Sequence, residues 1–487
     1  MEKKYMKLSE LITVLKPIQI VGTTDRDIHG VQFDSRKVES GDLFVAQKGT
    51  AVDGHSFIAG CVEKGVAAVV LSDVAYLPQQ ADEVTYIVVD NTDRALGLLA
   101  DAWYGHPSRQ LHLVGVTGTN GKTTIATLLY QLVRRLGKKA GLLSTVIYYV
   151  DEKAVVSTHT TPDALAIQSL LREMVDAGCE YAFMEVSSHS IAQERVAGLD
   201  FDGALFTNLT RDHLDYHKTF DNYRDTKKRL FDGLKKTAFA VTNKDDKNGE
   251  VMLQNCKGHL YTYSTRTIAD FKGCILEEGF DGMLLTINRK EVFIPLVGRF
   301  NLSNLLCIYG AARCLGFAED DVLREMSMLK AVNGRFEAIH APQGWTAIID
   351  YAHTPDAVDN VIKTINEIRK GRLITVVGCG GNRDKGKRPQ MAQIAKRGSD
   401  QLILTSDNPR DEEPADILKD MAAGLTNDEL RQTLIIEDRE SAIRTACTLA
   451  QDKDVILIAG KGHEDYQIIK GVKYHFDDHE IVKQFIQ

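Results

Sequence analysis

The sequence predicts an α/β protein built from several layered domains, and three observations carry that expectation. Short apolar runs with strand character alternate with amphipathic helical stretches almost from end to end, which is the pattern of parallel sheets covered by helices. At 487 residues the chain exceeds what one hydrophobic core organises, so three domains are expected. The polar and glycine-rich clusters treated below each fall just after a strand, where ligands collect in sheets of this kind.

The elements read in order as three blocks. Residues 1–105 offer the strands VQFDSR, DLFVA, AAVVLS and TYIVVD and the helices HSFIAGCVEKG and TDRALGLLADAWYG, with GHPSR as a linker. Residues 106–334 open on the strand LHLVGV and continue through YAFMEVS, GALFTNL and TAFAVTN, with TTIATLLYQLVRRLG and TPDALAIQSLLREMVDAG as helices between them. Residues 335–487 alternate TAIIDYAH, RLITVVG, DQLILTSDN, TLIIED and DVILIAGKG with helices such as PDAVDNVIKTINEIRKG and ESAIRTACTLA, a Rossmann-like layer sandwich.

Composition narrows the function classes. Apolar and aromatic residues make up 44% and charged residues 26%, ordinary values for a globular chain. With 59 basic against 67 acidic residues and a net charge of −8, no global basic field exists to hold a nucleic acid, so none is expected as a partner. The eight cysteines are dispersed without a C-x-x-C pair and read as thiols in a reducing compartment. The first residues have no signal-peptide core, and no run approaches the ~18 apolar residues of a membrane span. A cytoplasmic protein with no membrane partner is expected.

The strand LHLVGV leads into Thr117-Gly118-Thr119-Asn120-Gly121-Lys122-Thr123-Thr124 and then a helix. Backbone amides of such a turn, the helix dipole and the lysine converge on phosphates. The central block is therefore expected to be a P-loop ATP-binding parallel sheet, flanked by the N-terminal α/β domain and the Rossmann-like C-terminal one. Val116 stands where the first glycine of the strict loop pattern belongs, which argues against a generic motor or GTPase. Glu185 and His213 sit at strand ends and offer one hard oxygen and one imidazole, a start on a magnesium site. Singly, each also suits a polar loop, and Lys227, in YRDTKKRLFDGL, suits a solvated helix face.

TGTNGKTT, MEVSSH, TNLTRDHLDYH, the helix around Lys227, GRFN, NGRFE and DYAHTP occur in that order over essentially the whole chain and resemble the motifs of the Mur ligases, a family that also includes folylpolyglutamate synthetase. The resemblance implies an ATP-dependent ligase that forms an amide through an acyl-phosphate. Gly118, Thr119, Asn120, Gly121, Lys122, Thr123 and Thr124 would bind the ATP phosphates. Asn301 would contact adenine, Asp350 ribose and Arg335 phosphate, although a helix cap and a surface ion pair are the plain alternatives for Asn301 and Arg335. Thr123, Glu185 and His213 would hold Mg2+, and Lys227, in register after DYH, would carry a CO2-derived carbamate that helps hold a second Mg2+ as a metal ligand. Lys122, Glu185, His213 and Lys227 form the implied catalytic set.

The same resemblance names the substrates. Asp34-Ser35-Arg36 followed by GDLFVAQKGTAVDGH resembles a uridine-diphosphate pocket, with Ser35 and Thr50 in contact, though strand-turn-strand is the plain alternative. Thr160, Thr161, Ser187, Gln193 and Arg195 match positions that bind a muramoyl-peptide, UDP-N-acetylmuramoyl-L-alanyl-D-glutamate. Asp163 could instead cap the helix behind it. DNPR in SDNPRDEEP resembles the signature of family members that accept meso-diaminopimelate rather than lysine. A guanidinium suits the additional carboxylate because it binds carboxylate bidentately. Arg383, Asp407, Asn408, Pro409, Arg410, Gly460 and Glu464 would receive this amino acid. Residues 1–105, 106–334 and 335–487 would serve the uridine sugar, ATP and the amino acid respectively, in a monomer. A lysine-adding relative, a folylpolyglutamate synthetase-like ligase and a nucleotide-gated regulatory module remain the rival readings.

Overall fold

The computed structural model describes residues 5–49, 52–79, 83–157 and 160–486. The chain divides into two compact units, Met1–Thr262 and Tyr263–Gln487. In the first unit a five-stranded sheet runs in the order Gln19–Val21, Thr85–Val88, Ala68–Leu71, Leu43–Val45, Val31–Gln32, parallel except for its first strand. Successive side chains point to opposite faces of a strand. Leu43, Val45, Val70 and Ile87 accordingly meet Leu96, Leu99 and Trp103 on one face, while Phe44, Val69, Tyr86 and Val88 meet Ile58 and Cys61 on the other. Burial on both faces explains why these strands read as unbroken apolar runs.

A second sheet in this unit places Ala140–Leu143, Tyr181–Glu185, His112–Thr117, Gly203–Phe206 and Phe239–Asn243 side by side and parallel. Ile147–Val150 and Lys153–Val156 add an antiparallel hairpin beside Ala140–Leu143, which the alternation of apolar runs had not revealed. Three helices set the site. Lys122–Arg135 follows the phosphate loop. Ala164–Asp176 is capped by Asp163, whose side chain accepts from the Ala166 amide. Phe220–Asp232 is capped by Thr219 and carries Lys227 on its buried face.

The second unit begins with three antiparallel strands, Phe271–Gly279, Gly282–Ile287 and Lys290–Ile294, against which the helix Arg299–Cys314 packs. Its main sheet has the order Glu337–His340, Thr346–Asp350, Val455–Ala459, Leu373–Cys379, Gln401–Ser406, Thr433–Ile435. Only the first of these strands is antiparallel to its neighbour. Ile348, Val377, Leu404 and Leu457 form one core, and Ile349, Val376, Ile403 and Ile458 form the other. The carboxyl ends of its strands deliver Asp350, Asp407 and Gly460 to one edge of the sheet.

Candidate active site

The phosphate loop is shaped by two glycines. Gly118 has φ +149°, and a Cβ there would lie 1.9 Å from Thr207 Oγ1, so no side chain fits. Gly121, at φ 90°, turns the chain into the helix, a left-handed conformation glycine adopts without steric cost. Asn208 holds the loop from behind: its carbonyl accepts from the Thr119 amide at 2.8 Å, and its side-chain oxygen accepts from the Asn120 amide at 3.0 Å. Lys122 Nζ donates to the Gly118 and Thr119 carbonyls at 3.1 and 2.8 Å. Thr123 donates to Glu185 Oε2 at 3.0 Å, and Glu185 Oε1 accepts from the Thr145 amide at 2.6 Å. Thr124 lies half-buried in the same first turn.

Lys227 is the most deeply buried amine here. It is 1% exposed, donates to the Gly118 carbonyl at 2.8 Å, and sits 4.7 Å from the centre of the Tyr223 ring. Burial, and next the charge of Lys122, draw its pKa well below the ordinary lysine value, with Asp212 opposing. A buried amine avoids the cost of an unsolvated charge by losing its proton. His213, exposed and with φ 52°, lies with its ring 4.9 Å from that of His189.

Beside the loop lies a cavity of about 280 Å³ lined by Lys122, Lys227, Arg195, His189, His213 and Tyr223, with Thr160, Thr161, Ser187 and Ser188 completing the wall. Arg195 donates to the Thr161 carbonyl at 2.8 Å and to Gln193 Oε1 at 2.5 Å. Thr161 Oγ1 donates to the Glu185 carbonyl at 2.9 Å. Thr160 accepts from Thr145 Oγ1 at 3.1 Å, and Ser187 accepts from the Ser190 amide at 3.1 Å. The residues lining the cavity include lysine and arginine but no carboxylate, so its field favours an anion carrying more than one negative group.

In the N-terminal part of the same unit, Asp34 and Arg36 pair at 2.8 Å. That guanidinium holds the Asp34 carboxyl down at about 2. The Ser35 carbonyl accepts from Lys64 at 2.7 Å, leaving the half-buried Ser35 on the turn between strands. Thr50 lies outside the described residues.

In the second unit, Asn301 is buried in the first turn of its helix and donates to the Val297 carbonyl at 2.7 Å. Asp350 closes a central strand and accepts from the Phe336 amide at 2.7 Å. Burial raises its pKa to about 6, with Arg335 opposing, and the Arg335 guanidinium lies 4.6 Å from the centre of the Tyr351 ring. His463, whose ring is 5.0 Å from that of Tyr351, is drawn down to about 3 by burial and by Arg335.

The edge expected to take the amino acid is held from several sides. Asn408 donates to Glu464 Oε2 at 2.7 Å and accepts from the Ile468 amide at 2.9 Å. Burial, with the Asp407 charge next, pushes the Glu464 carboxyl up. Gly460, at φ +119°, lets its backbone pass Asp407, because a Cβ would come 2.5 Å from Asp407 Oδ2. In the buried Arg439–Asp478 pair, 2.7 Å apart, the Arg439 guanidinium also donates to the Ser406 and Ala459 carbonyls and so fixes both strand ends. Arg410, at φ 53°, donates to the Gly381 carbonyl at 2.9 Å. Pro409 adjoins it, and Arg383 is exposed on the neighbouring loop.

Three family models match the chain in series: "Mur ligase family, catalytic domain" over residues 27–104, "Mur ligase middle domain" over 116–312, and "Mur ligase, glutamate ligase domain" over 334–462. A protein of Parabacteroides distasonis named UDP-N-acetylmuramoyl-L-alanyl-D-glutamate–2,6-diaminopimelate ligase is 59% identical over 482 residues, which cover 98% of this chain and 99% of that one. The chain belongs to the Mur ligase family. A protein of the same name from Phocaeicola vulgatus is 57% identical over 481 residues, with 98% and 99% of the two chains covered. A solved structure of a ligase with this name superposes with a TM-score of 0.71 at 33% identity over 99% of each chain.

Within this Mur ligase the first unit brings Lys122, Lys227, Thr160, Thr161, Ser187, Arg195 and His213 around one cavity. Thr123 and Glu185 meet directly beside it, at 3.0 Å. The second unit brings Asp407, Asn408, Gly460 and Glu464 together, and Asn408 touches Glu464. Sequence reasoning missed Ser188 and Tyr223 and left His189 without a role, although all three line the cavity. His189 was visible inside MEVSSH. Tyr223 carried no signal beyond its spacing of one helical turn before Lys227. No described helix is long and apolar enough to cross a membrane.

Proposed function

We propose that this Mur ligase adds meso-diaminopimelate to UDP-N-acetylmuramoyl-L-alanyl-D-glutamate at the expense of ATP, releasing ADP and phosphate, in the cytoplasmic synthesis of peptidoglycan precursors. The observation that carries the reading is the cavity that the phosphate-loop lysine, Lys122, and the carboxylate-binding candidate Arg195 both line. An anionic carboxylate and a polyphosphate would meet there, which is what carboxyl activation requires. Full-length relatives at 57% and 59% identity carry the name of this ligase, which supports the choice of substrates.

In this reading the loop amides and Lys122 bind the ATP phosphates, while Arg195, Thr160, Thr161, Ser187 and Gln193 orient the muramoyl-peptide. The D-glutamate side-chain carboxylate attacks the γ-phosphorus and ADP leaves. The diaminopimelate amine then attacks the acyl carbon, loses a proton, and expels phosphate as the amide forms. Lys122 stabilises the negative charge that builds during phosphoryl transfer. Asn301, Arg335 and Asp350 serve the adenine, phosphate and ribose ends of ATP, and Ser35 and Thr50 the uridine nucleotide. Residues 1–105, 106–334 and 335–487 divide this work in a monomer.

The adjoining Thr123 hydroxyl and Glu185 carboxylate suit Mg2+, a hard ion that takes few protein ligands and fills its shell with phosphate oxygens and water. Among the described residues no group of three His, Cys, Asp or Glu forms a ready cage. Thr123, Glu185 and His213 would hold it, a carbamate on Lys227 would help hold a second Mg2+, and when bound these ions would offset charge on the transferring phosphoryl group. A neutral amine is the form that adds CO2, and burial shifts Lys227 toward it. Incubation with the uridine substrate, ATP and diaminopimelate tests the reading. ADP, phosphate and amide should appear together only when all three substrates are present, and ATP binding without amide formation would return the regulatory-module alternative.

A further inference from the structure

The loop that carries Arg383 and the loop that carries Arg410 are interlocked by a pair of charges that the reaction does not itself use. At Gly381 a Cβ would lie 1.9 Å from the Pro409 carbonyl oxygen, so the two backbones pass in contact. The Gly381 amide donates to the Asn408 carbonyl at 2.9 Å. Above this crossing Glu412 accepts from the Asn382 amide at 2.6 Å. It also receives Arg388 through two hydrogen bonds, of 2.8 and 2.9 Å. Arg388 is fully buried. It donates as well to Asp420 at 2.8 Å and toward the Gly380 carbonyl at 3.4 Å, so it touches the start of the Arg383 loop as well as the end of the Arg410 loop. This guanidinium holds the Glu412 carboxyl at about 2.

We propose that Glu412, fixed by Arg388, is a positioning residue that sets the spacing between Arg383 and Arg410 and thereby selects an acceptor amino acid bearing two carboxylates. The proposal rests on the acceptor reading given above. Arg383 is exposed on a loop, and a guanidinium placed that way reaches a carboxylate with useful geometry only if its loop is held by a supporting contact. Glu412 supplies that contact by accepting from the backbone one residue before Arg383. Asp420 shares Arg388 but, among the described residues, hydrogen-bonds to neither loop, so the two carboxylates separate positioning from general support.

The experiment compares Glu412→Gln, Asp420→Asn and Arg410→Ala in the full chain, with ATP and the uridine substrate saturating. Glu412→Gln is expected to raise KM for diaminopimelate on the order of tenfold and to lower the diaminopimelate-over-lysine ratio, with the KM values for ATP and the uridine substrate unchanged. Glu412→Asp retracts the carboxylate by one methylene and reads the same split if the glutamine variant does not fold. Asp420→Asn is expected to lower Tm while leaving the acceptor ratio at its wild-type value. Wild-type acceptor kinetics in Glu412→Gln, or shifts in both carboxylate variants that merely track Tm, would overturn the inference. If Arg410→Ala leaves diaminopimelate kinetics untouched, the acceptor reading itself fails and the inference falls with it.

Discussion

The cavity beside the phosphate loop and the acceptor edge of the second unit handle charge in opposite ways. Around the cavity Lys122, Lys227 and Arg195 gather with no carboxylate in the lining, and each donates to a backbone carbonyl. Behind the acceptor edge the supporting charges are matched within the protein: Arg388 with Glu412 and Asp420, and Arg439 with Asp478. The first arrangement awaits an anion to complete it. The second is organised before any ligand arrives, and such preorganisation favours discrimination between similar molecules.

Two substitutions probe the cavity side of this contrast, and two probe the second unit. The largest effect is expected at Lys122. Lys122→Ala should lower kcat for amide formation about 10³-fold, the scale of losing one donor to developing charge, while uridine-nucleotide binding measured by calorimetry persists. Equal loss of both in a folded variant would break the division of labour. Next comes Arg410→Ala at the acceptor edge, which should cost roughly 10²-fold in kcat/KM for diaminopimelate and much less for lysine, so the preference falls.

A stability effect follows at Lys227. Its folded pKa lies below the unfolded value, so its stabilising contribution is complete above pH 10.5 and is lost as pH falls toward the folded pKa. In CO2-depleted buffer Lys227→Met should therefore melt higher than wild type at neutral pH, with the gap closing as pH rises toward 10.5, even as activity is lost. A lower Tm for this variant at neutral pH would contradict the picture of a buried, costly amine. The smallest expected effect is at Asp350. Its pKa is raised from 3.8 to about 6, so its contribution is present below pH 3.8 and lost as pH rises through about 6. Asp350→Asn should flatten that part of the stability profile, which urea titrations at several pH values would read.

How much of this was legible in the sequence depended on whether a feature is local. The phosphate loop was readable because strand, glycines, lysine and helix are contiguous. The parallel strands were readable because burial on both faces leaves apolar runs. The antiparallel strands between Phe271 and Ile294 went unseen, since residues such as Lys272, Cys274 and Phe293 are exposed along one face and break the run. Lys227 could be placed only by register, because a lysine pair on a helix reads as solvated charge until the fold buries it. The Arg388–Glu412 pair was invisible for a different reason: 24 residues separate its members, and neither stands in a motif that demands the other.

The most direct test of the account is a competition assay in which wild-type protein, ATP and UDP-N-acetylmuramoyl-L-alanyl-D-glutamate are offered meso-diaminopimelate and L-lysine together, with both amide products quantified. A site built around a second carboxylate should favour diaminopimelate by ~10⁴ or more, because lysine leaves the Arg410 guanidinium without a carboxylate to pair with. Comparable amounts of the two products would contradict the account.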